Sequence, residues 1–205
     1  IKSEALRLGF DVCGIARAGK VSETVRSAFH EWLAKGKQAD MAYMANYTDK
    51  RLDPRLLLEN ARSIVSVALN YYPRVPLKKE QYQFAGYAYG KDYHDIMKSK
   101  LNTLLANIRQ QIPEANGRVF CDTAPLLERY WAWQAGLGWI GKNTQLLIPQ
   151  AGSTFFLGEI LLDIELEYDT PRPSRCGNCT RCLEACPTQA LEAPYRLNAA
   201  HCLSY

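Results

Sequence analysis

The chain has 205 residues, of which 47% are hydrophobic, 11% aromatic and 22% charged. These proportions are ordinary for a globular protein and exclude a disordered chain, a collagen and a coiled coil. The 25 Lys and Arg residues nearly balance the 21 Asp and Glu residues, and no run of about 18 apolar residues predicts a transmembrane helix.

Charge is unevenly distributed along the chain. Residues 1–118 carry 19 basic and 12 acidic side chains, whereas residues 119–205 carry 6 and 9. A basic first half is compatible with a polyanionic partner such as nucleic acid. The simpler explanation is a solvated surface on which charge is unevenly distributed.

Hydrophobic patterning predicts a mixed α/β body before a linker at residues 171–174. Strands are predicted at 9–16, 63–69, 118–121, 145–148 and 154–167, and helices at 22–35, 95–111 and 125–135. In the last strand, Ile160 and Leu162 alternate with Glu159 and Asp163, which predicts a sheet with one solvated face. Asp53-Pro54 is expected to start a leucine-rich helical turn, and a basic, proline-bearing loop is expected through Lys79.

Four of the seven cysteines lie close together near the end of the chain. They follow the spacing C-x2-C-x2-C-x3-C-P and are Cys176, Cys179, Cys182 and Cys186. This is the spacing of bacterial two-cluster ferredoxins, in which the first three cysteines bind one cluster and the fourth binds its neighbour. The segment therefore predicts iron–sulfur ligation, with Cys202 as a further candidate ligand. A structural zinc site is the alternative, although it usually has two separated C-x2-C pairs.

Two clusters need more thiolates than this sequence contains. Because the chain also opens without Met and stops at Tyr205, we expect it to be part of a longer protein. Seven cysteines without a secretion signal indicate a reducing compartment rather than a disulfide framework. We expect Cys13 and Cys121 to be packed thiols, since free cysteine is often buried.

The stretch GLGWIGKN at 136–143 matches the dinucleotide-binding glycine pattern and nearly matches the Walker pattern. Both motifs require a strand before the glycines and a helix after them. Here a helix is predicted before and a strand after, so we reject both. The glycines still permit close approach of something flat or bulky, with a helix C-cap and tight turn as the alternative for Gly136.

Asp122 follows a predicted strand and precedes a predicted helix. An acid at the carboxyl end of a strand in an open α/β sheet is a catalytic candidate. The alternative is a helix cap, for which Asp is a favoured residue. Glu128 and Arg129 are expected to have structural roles, and His94 is expected to form hydrogen bonds in its loop rather than to bind a metal.

Several stretches together resemble one family, the epoxyqueuosine reductases of bacteria. The resemblance runs essentially from end to end and preserves the order of the motifs. The matching stretches are ALNYYP at 68–73, YAYGKDYH at 87–94, DTAPLLER at 122–129, AGLGWIGKN at 135–143 and the cysteine stretch at 176–188. Cys202 looks like the family's next cluster ligand.

The resemblance implies an activity and its cofactors. Enzymes of this family reduce epoxyqueuosine to queuosine at the wobble base of tRNA, the last step of queuosine biosynthesis. They pass electrons from an external donor through two [4Fe–4S] clusters to cobalamin. The resemblance implies that Asp122 is the proton donor, and that the enzyme works in the cytoplasm, without a membrane, as a monomer.

The resemblance also implies a domain division and a cobalamin site. An α+β or α/β cobalamin-binding catalytic domain is expected over 1–170, and the start of a ferredoxin-like two-[4Fe–4S] domain over 171–205. The expected cobalamin contacts besides Asp122 are Tyr89, Lys142, Asn143, Thr144, Leu146, Ser153 and Leu157.

Three alternatives remain open at this point. The chain could belong to a related cobalamin enzyme such as a reductive dehalogenase, or it could be a ferredoxin-type electron carrier fused to a docking domain. It could also be a zinc-stabilised RNA-binding module. Cobalamin content separates an enzyme from a carrier, and iron and sulfide analysis separates both from the zinc module.

Overall fold

A computed structural model describes residues 1–75, 77–78, 80 and 82–205. The part of the basic loop at Lys79 lies outside the described residues. The helices are α1 (Lys2–Arg7), α2 (Glu23–Ala34), α3 (Thr48–Leu52), α4 (Tyr93–Gln111), α5 (Glu128–Gln134) and α6 (Arg181–Glu184). The strands are β1 (Val12–Arg17), β2 (Ser63–Asn70), β3 (Gly117–Phe120), β4 (Trp139–Ile140), β5 (Leu146–Leu147), β6 (Phe155–Leu162), β7 (Leu191–Ala193) and β8 (Arg196–Leu197).

The central sheet has the strand order β1-β2-β6-β3, and each of these neighbouring pairs is antiparallel. The predicted mixed α/β body is therefore confirmed in its α+β form. The rule that places ligands at the carboxyl ends of strands was derived for open α/β sheets, so it does not apply to these antiparallel pairs. Asp122 nevertheless lies at one end of the sheet, because β3 ends two residues before it.

Helices cover the two faces of the sheet. On one face, α4 packs Met97, Leu101 and Leu104 against β3 and β6. On the other face, α5 packs Trp131 and Ala132 against β1, β2 and β6. Each fully buried large side chain of this kind contributes about 1.5–3 kcal/mol to folding, so these two layers define the core.

The expectation of one solvated face is wrong. Glu159 in the middle of β6 has no exposed surface, and the strand is buried over its last five residues. The reason is the position of β6 between β2 and β3, with α4 on one face and α5 on the other. The alternation of apolar and acidic residues continues in the sequence beyond Leu162, but the strand itself ends at Leu162.

Capping residues explain several helix boundaries. Ser22 accepts a hydrogen bond from the amide of Val25, as predicted for the start of α2. Asp53 caps the predicted turn at Pro54–Leu56. Asp92 accepts the His94 amide and starts α4 two residues earlier than predicted.

The segment 171–205, which we call the cluster segment, contacts the body through polar groups. Trp32 Nε1 donates to the Leu197 carbonyl at 2.7 Å, and Lys37 pairs with Glu192 at 2.5 Å. The predicted division into domains at about residue 170 stays a prediction. None of the helices in the described part of the chain has the length and apolarity that a membrane crossing requires.

Candidate functional site

Asp122 adopts a left-handed backbone conformation, with φ of 60°. Few non-glycine residues do so, and those that do often mark functional sites. Extending the β3–β6 register beyond its last pair, Phe120 with Glu159, places Asp122 opposite Leu157. The alternative of a helix cap is wrong, because α5 begins only at Glu128 and its N-cap residue is Leu127.

The Asp122 carboxylate is held by two side chains from the start of α4. Tyr93 donates its hydroxyl to Asp122 Oδ2 at 2.6 Å, and His94 Nε2 lies 3.3 Å from the same oxygen. The other ring nitrogen of His94 lies 2.8 Å from Asp92 Oδ1. Because the Asp122 side chain remains 58% exposed, a ligand can reach it. His94 therefore forms hydrogen bonds, as expected.

An aromatic stack orients these donors. The Tyr93 ring lies parallel to Phe156 of β6, with centroids 4.1 Å apart and 2° between the planes. Tyr93 also stacks on His94 at 4.0 Å, and Phe156 contacts Tyr71 at 4.6 Å. Burial on these rings limits rotation of the Tyr93 side chain, so its hydroxyl stays directed at Asp122.

Burial and the nearby carboxylates change the pKa values of both donors. Burial, followed by the hydrogen bond and negative charge of Asp122, raises the pKa of Tyr93 well above its usual value. Partial burial favours neutral His94, but hydrogen bonds to Asp92 and Asp122 outweigh it and raise the His94 pKa. Tyr93 therefore keeps its proton, and His94 holds a proton more readily than a free histidine does.

Two further carboxyl groups lie behind the Asp122 loop, defined as residues 121–127. Glu128 Oε1 accepts a hydrogen bond from the Asp122 amide, and Glu159 is completely buried beside Glu128. Burial is the largest cause that raises the pKa of Glu128, to about 7. Sequence reasoning gave Glu128 a structural role and placed Glu159 on a solvated face; only the sheet order could have revealed the pair.

The glycine-rich stretch forms a turn and a β-hairpin, and not a nucleotide loop. It follows α5 and leads into β4, which pairs with β5, as the rejection of both motifs predicted. Gly136 has φ of 73° after the helix. A Cβ added at Gly138 would lie 2.1 Å from the Leu147 carbonyl oxygen. Packing within the chain thus explains these two glycines without a ligand.

The structure separates the expected cobalamin contacts on this hairpin. Lys142 Nζ donates to the carbonyls of Gly177 and Cys179, at 2.7 and 2.9 Å, so its ammonium is directed at the cluster segment. Leu146 is 5% exposed and belongs to the core, so only its backbone is available to a cofactor.

The remaining expected contacts have accessible surface. Asn143 Oδ1 accepts the Gln145 amide at 3.2 Å and Thr144 has φ of 66°, which shapes the hairpin turn. Thr144 Oγ1 is buried without a hydrogen-bond partner among the described residues. The side chains of the other three are half-buried or exposed: Tyr89, Ser153 and Leu157. The unpaired Thr144 hydroxyl fits a site in which a bound polar cofactor supplies the missing partner.

Hydrogen-bond donors lie near the first and fourth clustered cysteines. Burial opposes ionisation of Cys176, but the Lys142 amide, Trp139 and Ser174 lower its pKa. The pKa of Cys186 is lowered mainly by the Leu191 amide. Such N–H groups directed at sulfur stabilise thiolates, and thiolates are the ligands of iron–sulfur clusters. This donor set fits the predicted clusters.

The five cysteines expected to bind iron are all free thiols, four of them half-buried and Cys179 exposed. In the described part of the chain, no three His, Cys, Asp or Glu side chains already converge as a metal-binding group. Cys13 and Cys121 are different, because burial raises the pKa of each thiol to about 12. The expectation that these two are packed thiols is confirmed.

Two family models match the chain. The model described as epoxyqueuosine reductase QueG, DUF1730, matches residues 51–123. The model described as a 4Fe-4S double cluster binding domain matches residues 175–205. The two matches correspond to part of the body and to the cysteine-rich segment, and the second supports iron–sulfur ligation over the zinc alternative.

Curated relatives match over the whole chain. An epoxyqueuosine reductase of Leadbetterella byssophila is 48% identical over 205 residues, which cover all of this chain and 67% of the relative. One of Cellulophaga algicola is 46% identical with the same coverage. The chain therefore spans about two thirds of the length of these relatives.

Solved structures agree with these matches. The epoxyqueuosine reductase of Streptococcus thermophilus superposes with a TM-score of 0.90 at 29% identity, over 98% of this chain and 55% of that one. Another epoxyqueuosine reductase, solved with an epoxyqueuosine-modified tRNA stem loop, gives a TM-score of 0.84 at 32% identity, over 98% and 54%.

A more distant likeness is to a reductive dehalogenase, with a TM-score of 0.55 at 15% identity, over 97% of this chain and 23% of that one. This likeness shows a shared fold alone. The full-length match to the curated relatives, at nearly half of all positions, decides between the two enzyme families. The chain belongs to the epoxyqueuosine reductase family.

Proposed function

We propose that this chain carries the catalytic body of an enzyme that reduces epoxyqueuosine to queuosine in tRNA. The observation that supports this most is the Asp122 carboxylate, which is held by Tyr93 and His94 at an accessible end of the sheet. Relatives that match the entire chain bear the name of this reductase. One related structure was solved with the modified tRNA stem loop, which supports tRNA as the substrate.

The proposed chemistry requires an acid. Removal of an epoxide oxygen as water consumes two electrons and two protons, and opening the ring places negative charge on oxygen. A positioned proton donor lowers the barrier to that step by about 10²–10⁴-fold in rate. Asp122 is the proposed donor. His94, hydrogen-bonded to it and to Asp92, is placed to return a proton after each turnover.

Cobalamin and two [4Fe–4S] clusters are the proposed cofactors. When bound, cobalamin supplies the electron chemistry at cobalt, and the protein supplies binding and orientation. Tyr89, Asn143, Thr144, Ser153 and Leu157 are proposed to contact it, together with Asp122 and the Leu146 backbone. The proposed cluster ligands are Cys176, Cys179, Cys182, Cys186 and Cys202.

Lys142 is proposed to act between the two cofactor regions. Its ammonium binds two carbonyls of the cluster segment, while its amide faces Cys176. We therefore propose that it links the two regions, in addition to the cobalamin contact expected from sequence. An external donor is proposed to supply the electrons. A tRNA substrate and reduced cysteines favour the cytoplasm, and we propose a monomer.

The test is Asp122→Asn in the complete protein, with Asp95→Asn on the adjoining helix as the matched control. We expect the first variant to retain cobalamin and iron while its turnover of epoxyqueuosine-containing tRNA falls by about 10²-fold or more. The control should keep its turnover. Undiminished conversion by the Asp122 variant would remove this residue from the mechanism.

Substrate choice is tested separately. The reductive dehalogenase alternative predicts loss of halide from halogenated small molecules, and the carrier alternative predicts a protein that binds no cobalamin. We expect tRNA to be converted, halogenated compounds to remain intact, and cobalamin to co-purify with the reconstituted enzyme. A protein that contains iron but neither binds cobalamin nor converts tRNA would support the carrier.

A further inference from the structure

A completely buried acid lies beneath the Asp122 loop. Glu159 has no exposed surface, and neither of its carboxylate oxygens has a hydrogen-bond donor within reach among the described residues. An ionised carboxylate in such a place is strongly unfavourable, because nothing replaces the water that it loses on burial. Glu159 must therefore keep a proton or share one.

Glu128 is the group with which Glu159 can share a proton. Besides burial, the charge of Glu128 and a hydrogen bond to its side chain raise the pKa of Glu159. A protonated Glu159 can donate to an ionised Glu128, whereas two ionised carboxylates in contact repel. The packing on the sheet reinforces this, since the residue opposite Glu159 on β2 is Ser66, which is itself buried and uncharged.

Other titratable groups also face this pair. Tyr93 and His94 come from α4, Cys121 and Asp122 from the end of β3, and Arg129 from α5. The cations His94 and Arg129 favour an ionised Glu128, whereas burial and the Asp122 charge oppose it. For Glu159, burial and Glu128 both favour the protonated form. The contacts agree with this, since Glu128 accepts the Asp122 amide whereas neither Glu159 oxygen has a donor among the described residues, so the proton belongs on Glu159.

The other end of this pair reaches the candidate acid. Glu128 Oε1 accepts the backbone amide of Asp122, which has a left-handed backbone. A residue in that conformation persists only when several contacts hold it. Tyr93 and His94 hold the Asp122 side chain, while Glu128 holds its backbone from the opposite side.

We propose that Glu159 remains protonated at neutral pH and donates to Glu128, and that this carboxyl pair positions Asp122 by holding its backbone amide. Both are positioning residues, since neither is exposed to a substrate as Asp122 is. The benefit of this positioning for catalysis rests on the proposed function. The hydrogen bonds that join Glu159, Glu128 and the Asp122 amide do not depend on it.

Two substitutions of Glu159 in the complete protein test the proposal. Glu159→Gln keeps a donor for Glu128 but has no titratable proton, and Glu159→Leu removes the donor with little change in volume. Ser63 is likewise buried, on the neighbouring strand β2, so Ser63→Ala is a control for general loss of stability. Infrared spectra at pH 8 report protonated carboxyl groups, and hydrogen exchange reports protection of the Asp122 amide.

We expect the natural protein to show a protonated carboxyl C=O band at pH 8 that is lost in Glu159→Gln. Exchange of the Asp122 amide should rise about tenfold in Glu159→Leu, the effect of losing one charge-assisted hydrogen bond, and should change little in Glu159→Gln. Ser63→Ala should raise exchange throughout the sheet, without a preference for the Asp122 loop.

The proposal is overturned if the natural protein lacks the band, or if the band persists in Glu159→Gln. It is also overturned if Glu159→Leu leaves exchange at Asp122 unchanged, or raises it only as much as elsewhere. These measurements need no cobalamin, cluster or tRNA. A protein that passes them but does not convert tRNA would therefore refute the proposed function alone.

Discussion

Two side chains from α4 contact one oxygen of the Asp122 carboxyl group, the hydroxyl of Tyr93 and the ring of His94. Because the proposed reaction consumes the Asp122 proton, a new proton must reach this group before the next turnover. His94 is the group that can bring it, because its second ring nitrogen contacts Asp92 and its side chain is 27% exposed.

The pH dependence of stability tests this role of His94. Since its pKa is raised in the folded protein, His94 contributes stability that is fully present below the unfolded pKa of about 6.5 and lost as pH rises through the folded value. We expect the free energy of unfolding of His94→Gln to differ from that of the natural protein most at low pH, and the difference to shrink above about pH 7.

Denaturant titrations between about pH 5 and 9 measure this difference. His30→Gln, which replaces an exposed histidine on α2, is the matched control for loss of a histidine side chain. Protonation of the buried carboxyl pair also changes stability in this range in all three proteins, and the His94 charge favours ionised Glu128 only where His94 is present. A His94→Gln difference that stays constant with pH would contradict the proposed charge on His94.

At the scale of elements, the Asp122 site depends on how closely α5 approaches the sheet. The C-terminal end of α5 lies against β1, where a Cβ added at Gly14 would be 2.0 Å from the Ala135 carbonyl oxygen. No side chain fits there without moving the helix. The same helix begins at Glu128, so a displaced α5 also changes the contact between Glu128 and the Asp122 amide.

We expect Gly14→Ala to destabilise the protein by about 1–3 kcal/mol or more, the usual cost of overpacking against a rigid group. Gly19→Ala is the matched control, because nothing lies within 4 Å of a Cβ at Gly19, and it should leave the free energy of unfolding nearly unchanged. Thermal or denaturant unfolding measures both. Equal stability of the two variants would show that α5 shifts without cost.

At the scale of the whole molecule, the cluster segment is attached differently from the rest. None of its residues belongs to either of the two hydrophobic clusters that pack against the central sheet. Its contacts with the body include the bonds of Lys142 to two carbonyls and that of Trp32 to Leu197. Cluster binding would add folding free energy to this segment, because cluster ligation supplies what a small core cannot.

Removal of iron should therefore loosen the cluster segment before the body. After anaerobic chelation of the complete protein, we expect trypsin to cut first near Arg181 and Arg196, which are both exposed. The melting of the α+β body should shift by only a few degrees, about the effect of 1 kcal/mol. The iron-loaded protein is the control. Cooperative unfolding of the entire chain on chelation would contradict this division.

The sequence by itself determined the features that depend on local chemistry. Cysteine spacing predicted iron–sulfur ligation, which a matching family model supports. The order of helix, glycines and strand correctly excluded a nucleotide loop. Capping at Ser22 and the core strand over 63–69 were also predicted correctly, because caps and apolar runs act over a few neighbouring residues.

Only the tertiary structure decided the surroundings of Asp122. Its left-handed backbone, the two donors from α4 and the buried Glu128–Glu159 pair come from elements far apart in sequence. The charge pattern of β6 predicted an exposed Glu159, and the antiparallel order of the strands buried it. A strand's periodicity shows that it has two faces, but burial of both depends on which helices pack there, a long-range property that local sequence does not carry.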